Sequence, residues 1–150
     1  MRLKGKSSWP DALREISNHL INAEHGTVAI VASARQTNEE LYILSEIANF
    51  FGATTDAIPR KGKADHLMMI EDRNTNTTGA QLVGITNKRV GSKLSKIKKD
   101  IESGKVKTLI VFGEDVTKHG IDIKLLKKVT LIVSDILPNN TTKAADFLLP

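Results

Sequence analysis

The sequence predicts an α/β domain with a mostly parallel, Rossmann-like sheet in a three-layer α/β/α arrangement, and three observations predict it. Short uninterrupted apolar runs recur at 28–32, 109–112 and 131–133, the pattern of strands covered on both faces. Capped segments of helical periodicity stand between them. Such strand–helix–strand alternation needs right-handed crossovers, which wind helices onto both faces of an open sheet and leave ligand sites outside the strands' C-terminal ends. The 150 residues suffice for one domain with one core.

Taken in order, Ser8-Trp9-Pro10-Asp11 reads as a helix start: a hydroxyl N-cap, a proline in the first turn and a carboxylate three residues on. Leu13, Ile16 and Leu20 form the apolar stripe, the helix runs to about Glu24, and Gly26 supplies a left-handed stop before the first strand. Thr37-Asn38-Glu39-Glu40 is a capping box, since hydroxyl and carboxylate each satisfy an orphan backbone N–H at the other's end. Its helix buries Leu41, Leu44, Ile47, Ala48 and Phe51 and closes at Gly52. A turn-rich segment over 53–63 follows, then a short strand around Leu67-Met68-Met69-Ile70. Residues 71–78 have no apolar periodicity and are dense in side chains that bond their own backbone, the mark of an ordered polar loop. Leu94, Ile97 and Ile101 mark a further helix capped by Gly104, and another spans about 121–127 between the last two apolar runs. Phe147-Leu148-Leu149-Pro150 is an apolar edge, which reads as a chain cut from something longer.

Composition removes several classes of function. With no cysteine, disulfides, thiolate nucleophiles and cysteine-held clusters or zinc sites are excluded. No apolar run reaches membrane-spanning length, and Met1-Arg2-Leu3-Lys4 is not followed by a signal-peptide core, so direct membrane insertion is not expected. The net charge of +5 could attract a polyanion, but Lys93, Lys96, Lys98, Lys99, Lys105 and Lys107 gather about one helix as its wet side. With six aromatic residues and no basic–aromatic interleaving, nucleic acid is not an expected partner.

The strand tips, Ser33, Gly113 and Ser134, are where chemistry is sought. Ser33-Ala34-Arg35 leads into the capping box, a geometry in which an anion can sit on a helix N-terminus; no G-x-S-x-G elbow marks Ser33 as a nucleophile. Gly113-Glu114-Asp115 follows a strand, without any G-x-G-x-x-G or P-loop pattern, and reads first as a strand-to-helix turn. His19, His25, His66 and His119 lie on separate elements at no metal-ligand spacing. Asp135 and Asp146 either meet a ligand or cap turns.

Two stretches, Ser8-Trp9-Pro10-Asp11-Ala12-Leu13 and Ser33-Ala34-Arg35-Gln36-Thr37-Asn38-Glu39-Glu40-Leu41-Tyr42, resemble the "S-W-D-E-A-L" and "S-A-R-x-T-N-E-E-x-Y" runs of molybdopterin oxidoreductases. Phe112-Gly113-Glu114-Asp115 resembles that family's "G-E-N/D" turn, and the segment from Val133-Ser134-Asp135 through Thr141 to Pro150 resembles its "V-x-D-x-x-x-T-E-T-A-x-x-A-D-V-V-L-P". Within the family, Asp72-Arg73-Asn74-Thr75-Asn76-Thr77-Thr78-Gly79 and Gly104-Lys105-Val106-Lys107 are most similar to the "D-x-N-P-N-T-x-G" and "G-K-V-K" patterns of the large iron–sulfur subunit of NADH-quinone oxidoreductases (complex I), with Thr75 where proline is frequent.

The resemblance implies a large subunit of which this chain is the C-terminal part: iron–sulfur clusters elsewhere in the parent, and here the molybdopterin-enzyme fold without its cofactor. The implied partners are other domains of the same subunit and other subunits of the peripheral arm, on the cytoplasmic side. The family's cysteine or selenocysteine metal ligand has no counterpart near Arg60, since 53–62 offer no soft ligand; an Asp or Ser ligand also occurs in the family, and Asp65 stands five residues beyond Arg60. The resemblance therefore implies a non-catalytic structural domain supporting NADH-to-quinone electron transfer. As an alternative it implies a molybdopterin guanine dinucleotide domain of a formate dehydrogenase-like enzyme, in which Ser33, Arg35, Gly113, Glu114, Asp135 and Thr141 line a pocket for the guanine-nucleotide half of the cofactor.

Overall fold

A computed structural model describes residues 8–65 and 67–150; Met1 to Lys4 and His66 lie outside the described residues. Five strands, β1 (Val28–Ala32), β2 (Thr54–Ala57), β3 (Thr108–Phe112), β4 (Thr130–Ser134) and β5 (Phe147–Leu149), form one sheet in the order β2-β1-β3-β4-β5. Every neighbouring pair is parallel. Ile30 of β1 stands level with Thr55 on one side and Ile110 on the other. The sheet is thus the α/β, Rossmann-like one expected, and wholly rather than mostly parallel.

Alternating residues of the central strands feed two cores, as a strand covered on both faces requires. Ala29, Val31, Leu109, Val111, Leu131 and Val133 pack with Ile97 and Ile101 of α4 (Leu94–Glu102) and Leu126 of α5 (Ile123–Leu126). Val28, Ile30, Ile110 and Ile132 pack with Ile16 of α1 (Trp9–Ile21) and Ala48 of α2 (Asn38–Phe51). Leu41 and Leu44 of α2 extend that second layer onto Ala80 of α3 (Thr77–Leu82). A final short helix, α6 (Asn140–Ala144), connects β4 to β5.

The caps explain where the helices begin and end. Ser8 accepts the Asp11 N–H, and the Thr37/Glu40 capping box forms in both directions, at 3.2 and 2.8 Å. Gly52 closes α2 at φ +59°, where an L side chain is strained; a Cβ there would also strike the His25 ring. The first helix ends earlier than its sequence suggests, at Ile21 with Asn22 as C-cap, and Gly26 sits in the turn that follows.

Between 53 and 82 the sequence reading needs correction. The segment read as turns contains β2, whose Thr55 and Asp56 are buried but satisfied: Thr55 donates to the Ile85 carbonyl at 2.8 Å, and Asp56 accepts from Thr86, Ala57, Gly91 and Lys93. Polar side chains with partners inside disguise the strand. Conversely, Leu67 to Ile70 form no strand. Asp65 Oδ1 accepts the backbone N–H groups of Leu67, Met68 and Met69 at 3.0, 2.9 and 2.8 Å, and this local satisfaction outcompetes pairing. The polar loop gives way at Thr77 to α3, capped by Asn76, and the apolar C-terminal run pairs with β4 as β5.

Candidate functional site

The order in which strands are added reverses at β1, since β2 lies on one side of it and β3 on the other while all strands stay parallel. The loops leaving β1 and β3 therefore diverge and open a crevice, the usual ligand position in such sheets. Four of the predicted residues meet there: Ser33 and Arg35 beyond β1, Gly113 and Glu114 beyond β3. Gly113 takes φ +61° with Ser33 Cβ at 3.6 Å from where its own Cβ would stand, so the two loops close against each other.

Glu114 is the centre of the arrangement and is only 3% exposed. The Ser33 hydroxyl donates to its Oε1 at 2.6 Å, and Arg60 Nη2 donates to its Oε2 at 2.7 Å. Arg35 lies across the top. Its Nε donates to Ser33 Oγ at 3.2 Å, its Nη2 to the Gly113 carbonyl at 2.8 Å, and the same Nη2 stands 3.9 Å from Glu114. A buried carboxylate needs such matching, because an unpaired charge in this position costs several kcal/mol. Arg60 arrives from β2 by way of Ile58 and Pro59; with β2 read as turns, nothing in the sequence connected Arg60 to Glu114.

The backbone donors at the three tips are also engaged. The Ser33 N–H donates to Gln36 Oε1 at 3.1 Å, that of Gly113 to the Ser134 carbonyl at 2.8 Å, and that of Asp135 to the Leu149 carbonyl at 3.1 Å. At the start of α2 the Thr37, Glu40 and Leu41 N–H groups are held by the capping box and the Thr37 carbonyl, and Glu39 and Glu40 place negative charge in the first turn. A pyrophosphate binds where free N–H groups and positive charge converge. Here these donors are taken and a buried carboxylate neutralises part of the positive charge of Arg35 and Arg60, although Arg60 Nε is buried without a partner among the described residues; the crevice offers a diphosphate few free backbone N–H groups.

The other two predicted residues have separate roles. Asp135 lines the same groove as Ser33, Arg35 and Gly113, and its carboxylate accepts from the Leu137 N–H at 3.1 Å and from Asn139 Nδ2 at 2.8 Å, ordering the turn into α6. Thr141 is fully buried away from the crevice. Its hydroxyl donates to Asp115 Oδ1 at 3.1 Å and accepts the Val116 N–H at 3.0 Å, tying α6 to a 3-10 turn at Val116–His119. Burial opposes ionisation of Asp115, but the Thr117 and Thr141 hydroxyls, the Thr117 N–H and Lys118 together outweigh it and hold its carboxyl below the usual range. Asp146 accepts the Leu131 N–H at 3.0 Å, and His19 shares a hydrogen bond with Thr108 at 2.9 Å.

The crevice opens into a groove of about 670 Å³ that Ser33, Arg35, Gly113 and Asp135 line together, with Leu44, Ile47 and Phe112 as its apolar floor and Ile43, Ile136 and Leu137 at its sides. Among the described residues no group of three His, Asp or Glu side chains is placed to hold a metal ion, and no helix is long and apolar enough to cross a membrane. Compared with known protein families and with curated proteins, the sequence matches none.

Proposed function

We propose that the chain is a non-catalytic structural domain of the large iron–sulfur subunit of an NADH-quinone oxidoreductase, holding neighbouring cluster-bearing parts in position by packing. The observation that carries this reading is the Ser33–Glu114–Arg60 network with Arg35 above it: the charges at the strand tips are matched chiefly by the protein's own groups. A domain that works as a scaffold gains from such matching, whereas one that holds a diphosphate must keep its donors free. The motif runs at 8–13, 33–42, 72–79 and 133–150 supply the assignment to the redox subunit.

Two measurements test the reading. Calorimetry with GDP at millimolar concentration gives no heat and no thermal shift if those donors are taken; saturable binding would favour the nucleotide-holding alternative instead. An epitope-tagged chain in its native cells co-migrates in native gels with the band that reduces tetrazolium with NADH. Migration apart from every such band overturns the proposal.

A further inference from the structure

A second, smaller cleft lies beyond the tip of β2, and the site described above does not use it. One wall is the paired backbone on either side of Lys61 and Asp72, which bridge in antiparallel register; the Arg73 and Gly62 N–H groups donate to the Arg60 and Glu71 carbonyls at 2.9 Å each. The other wall is the loop that carries Lys88 and Arg89. That loop is built rather than slack. Gln81 Nε2 donates to the Lys88 carbonyl at 3.0 Å, and the buried Asp56 carboxylate accepts the Gly91 and Lys93 N–H groups at 3.0 and 2.6 Å. Gly91, at φ +80°, lies so close to Pro59 that a Cβ would stand 2.8 Å from its ring. The cleft has a volume of about 210 Å³, below the roughly 300–1,000 Å³ of pockets for drug-sized molecules, so its occupant is small.

The charges of the lining do not balance from within. Arg60 is matched by Glu114 at 2.7 Å and Lys61 by Glu71 at 2.8 Å, whereas the Lys88 and Arg89 side chains make no hydrogen bond or ion pair among the described residues. The remaining carboxylate, Asp72, accepts the Asn74 N–H at 3.0 Å and has the Thr77 hydroxyl beside it. Four cations against Glu71, Asp72 and Glu114 leave one positive charge over, and a cleft with an excess of one sign concentrates the opposite ion. Two lining residues also hold buried polar atoms with no partner among the described residues: Arg60 Nε, a donor, and Asn74 Oδ1, an acceptor. Such atoms mark a place where water or an ion belongs. Turning the Asn74 amide over does not relieve its oxygen, because Nδ2 donates to the Ile58 carbonyl at 3.3 Å and the exchange would set oxygen against oxygen there. An occupant that serves both atoms must be an anion, accept from arginine and donate to an amide oxygen. Phosphate does all three, since it keeps a proton at neutral pH; sulfate has none to give.

We propose that this cleft binds inorganic phosphate, with Lys88 and Arg89 supplying the charge, Arg60 Nε a donor, and Asn74 Oδ1 the acceptor for the proton that phosphate retains. The site shares only Arg60 with the network over β1 and β3 and does not depend on the redox assignment above. Isothermal titration calorimetry of the whole chain at low ionic strength, in buffer free of phosphate, is expected to show saturable binding of inorganic phosphate, with sulfate weaker by about tenfold or more. Lys88→Gln/Arg89→Gln alters two exposed side chains and weakens phosphate by about tenfold or more. Lys99→Gln/Lys105→Gln removes the same charge from exposed positions about α4 and leaves phosphate binding as it was. Circular dichroism and a thermal melt without phosphate check that both variants fold; should the first not, the single Arg89→Gln takes its place. The first variant also separates the two sites, because GDP held over the strand tips would be indifferent to it. Absence of saturable phosphate binding overturns the proposal, as does sulfate bound as tightly as phosphate, phosphate binding indifferent to Lys88→Gln/Arg89→Gln, or an equal loss in Lys99→Gln/Lys105→Gln.

Discussion

Glu114 is a buried carboxylate whose two oxygens are divided between a serine and an arginine from different loops, and that division makes its energetics testable. Removing Arg60 leaves the carboxylate buried with less compensation. Loss of one partner of a fully buried pair costs about 3–5 kcal/mol; since the Arg60 side chain is 37% exposed, about 2 kcal/mol is expected for Arg60→Met, which keeps most of the packing. Adding Glu114→Gln removes the stranded charge, so the double variant should recover at least half of that loss, read as urea midpoints in a double-mutant cycle. Simple additivity would show that the pair is not coupled. Acid response follows from two other carboxylates. Asp115 is held below the usual aspartate range by the contacts given above. Burial likewise opposes ionisation of Asp72, but the nearby Thr77 hydroxyl, the Asn74 N–H at 3.0 Å and Lys61 prevail and lower its value. Groups with depressed values contribute stability that is present above the unfolded-state value, about 4, and is lost as pH falls through the folded one. Thermal melts should therefore show little contribution from these two groups to the pH dependence between about pH 5 and 8 and a decline below about pH 4. Asp115→Asn should lower stability at neutral pH and make the acid decline shallower; an unchanged slope would detach Asp115 from it.

At the scale of single elements, the start of α3 shows why the 72–79 motif has its residues. Asn76 accepts the Gly79 N–H at 3.1 Å, donates its amide to the Gln36 carbonyl and to Asn38 Oδ1 at 2.9 Å each, and donates its own N–H to the Ala34 carbonyl. It is both helix cap and staple to the loop after β1. A Cβ on Gly79 would come within 2.1 Å of Asn38 Oδ1 and 2.4 Å of Asn76 Oδ1. Although alanine is the better helix former by about 1 kcal/mol, Gly79→Ala should therefore destabilise, and Asn76→Ala should cost about 1–2 kcal/mol as a lost cap, both by chemical denaturation. A stabilising Gly79→Ala would show that the loop can yield. These elements also explain what could be read beforehand. β1 and α2 were legible because periodicity and capping are local: five apolar residues in a row, and Thr37 with Glu40. β2 was not, because Thr55 and Asp56 are satisfied by partners about 30 residues away in sequence. Leu67 to Ile70 misled for the opposite reason, since they have strand composition but Asp65 takes the backbone N–H groups of 67–69. Within the site, Ser33, Arg35, Gly113 and Glu114 were found together because each follows a legible strand, whereas Arg60 follows the illegible one.

For the whole molecule, the order β2-β1-β3-β4-β5 places three strands, β1, β3 and β4, between neighbours on both sides, and leaves β2 and β5 each paired on one side only. Local stability follows this arrangement, because amide protection depends on the burial and pairing that must be broken to expose a bond. The amides of 29–32, 109–112 and 131–133 lie in a doubly covered sheet whose apolar residues are almost wholly buried, and exchange there should require global unfolding. β5 has three residues and a half-exposed Leu148, so its bonds should open by fraying at lower cost. The arm formed by 60–65 and 67–73, which leaves β2 and carries the exposed Leu67 to Ile70, should exchange fastest, the amides of Leu67, Met68 and Met69 being slowed by their bonds to Asp65. Hydrogen exchange read by mass spectrometry should rank the segments as central strands, edge strands, arm. Under denaturant the central strands should converge on one free energy, while Asp65→Ala should speed exchange at 67–69 and leave 109–112 unchanged. Central strands that separate into two levels would show that the sheet is not one cooperative unit, and that the Glu114 network joins two parts that open independently.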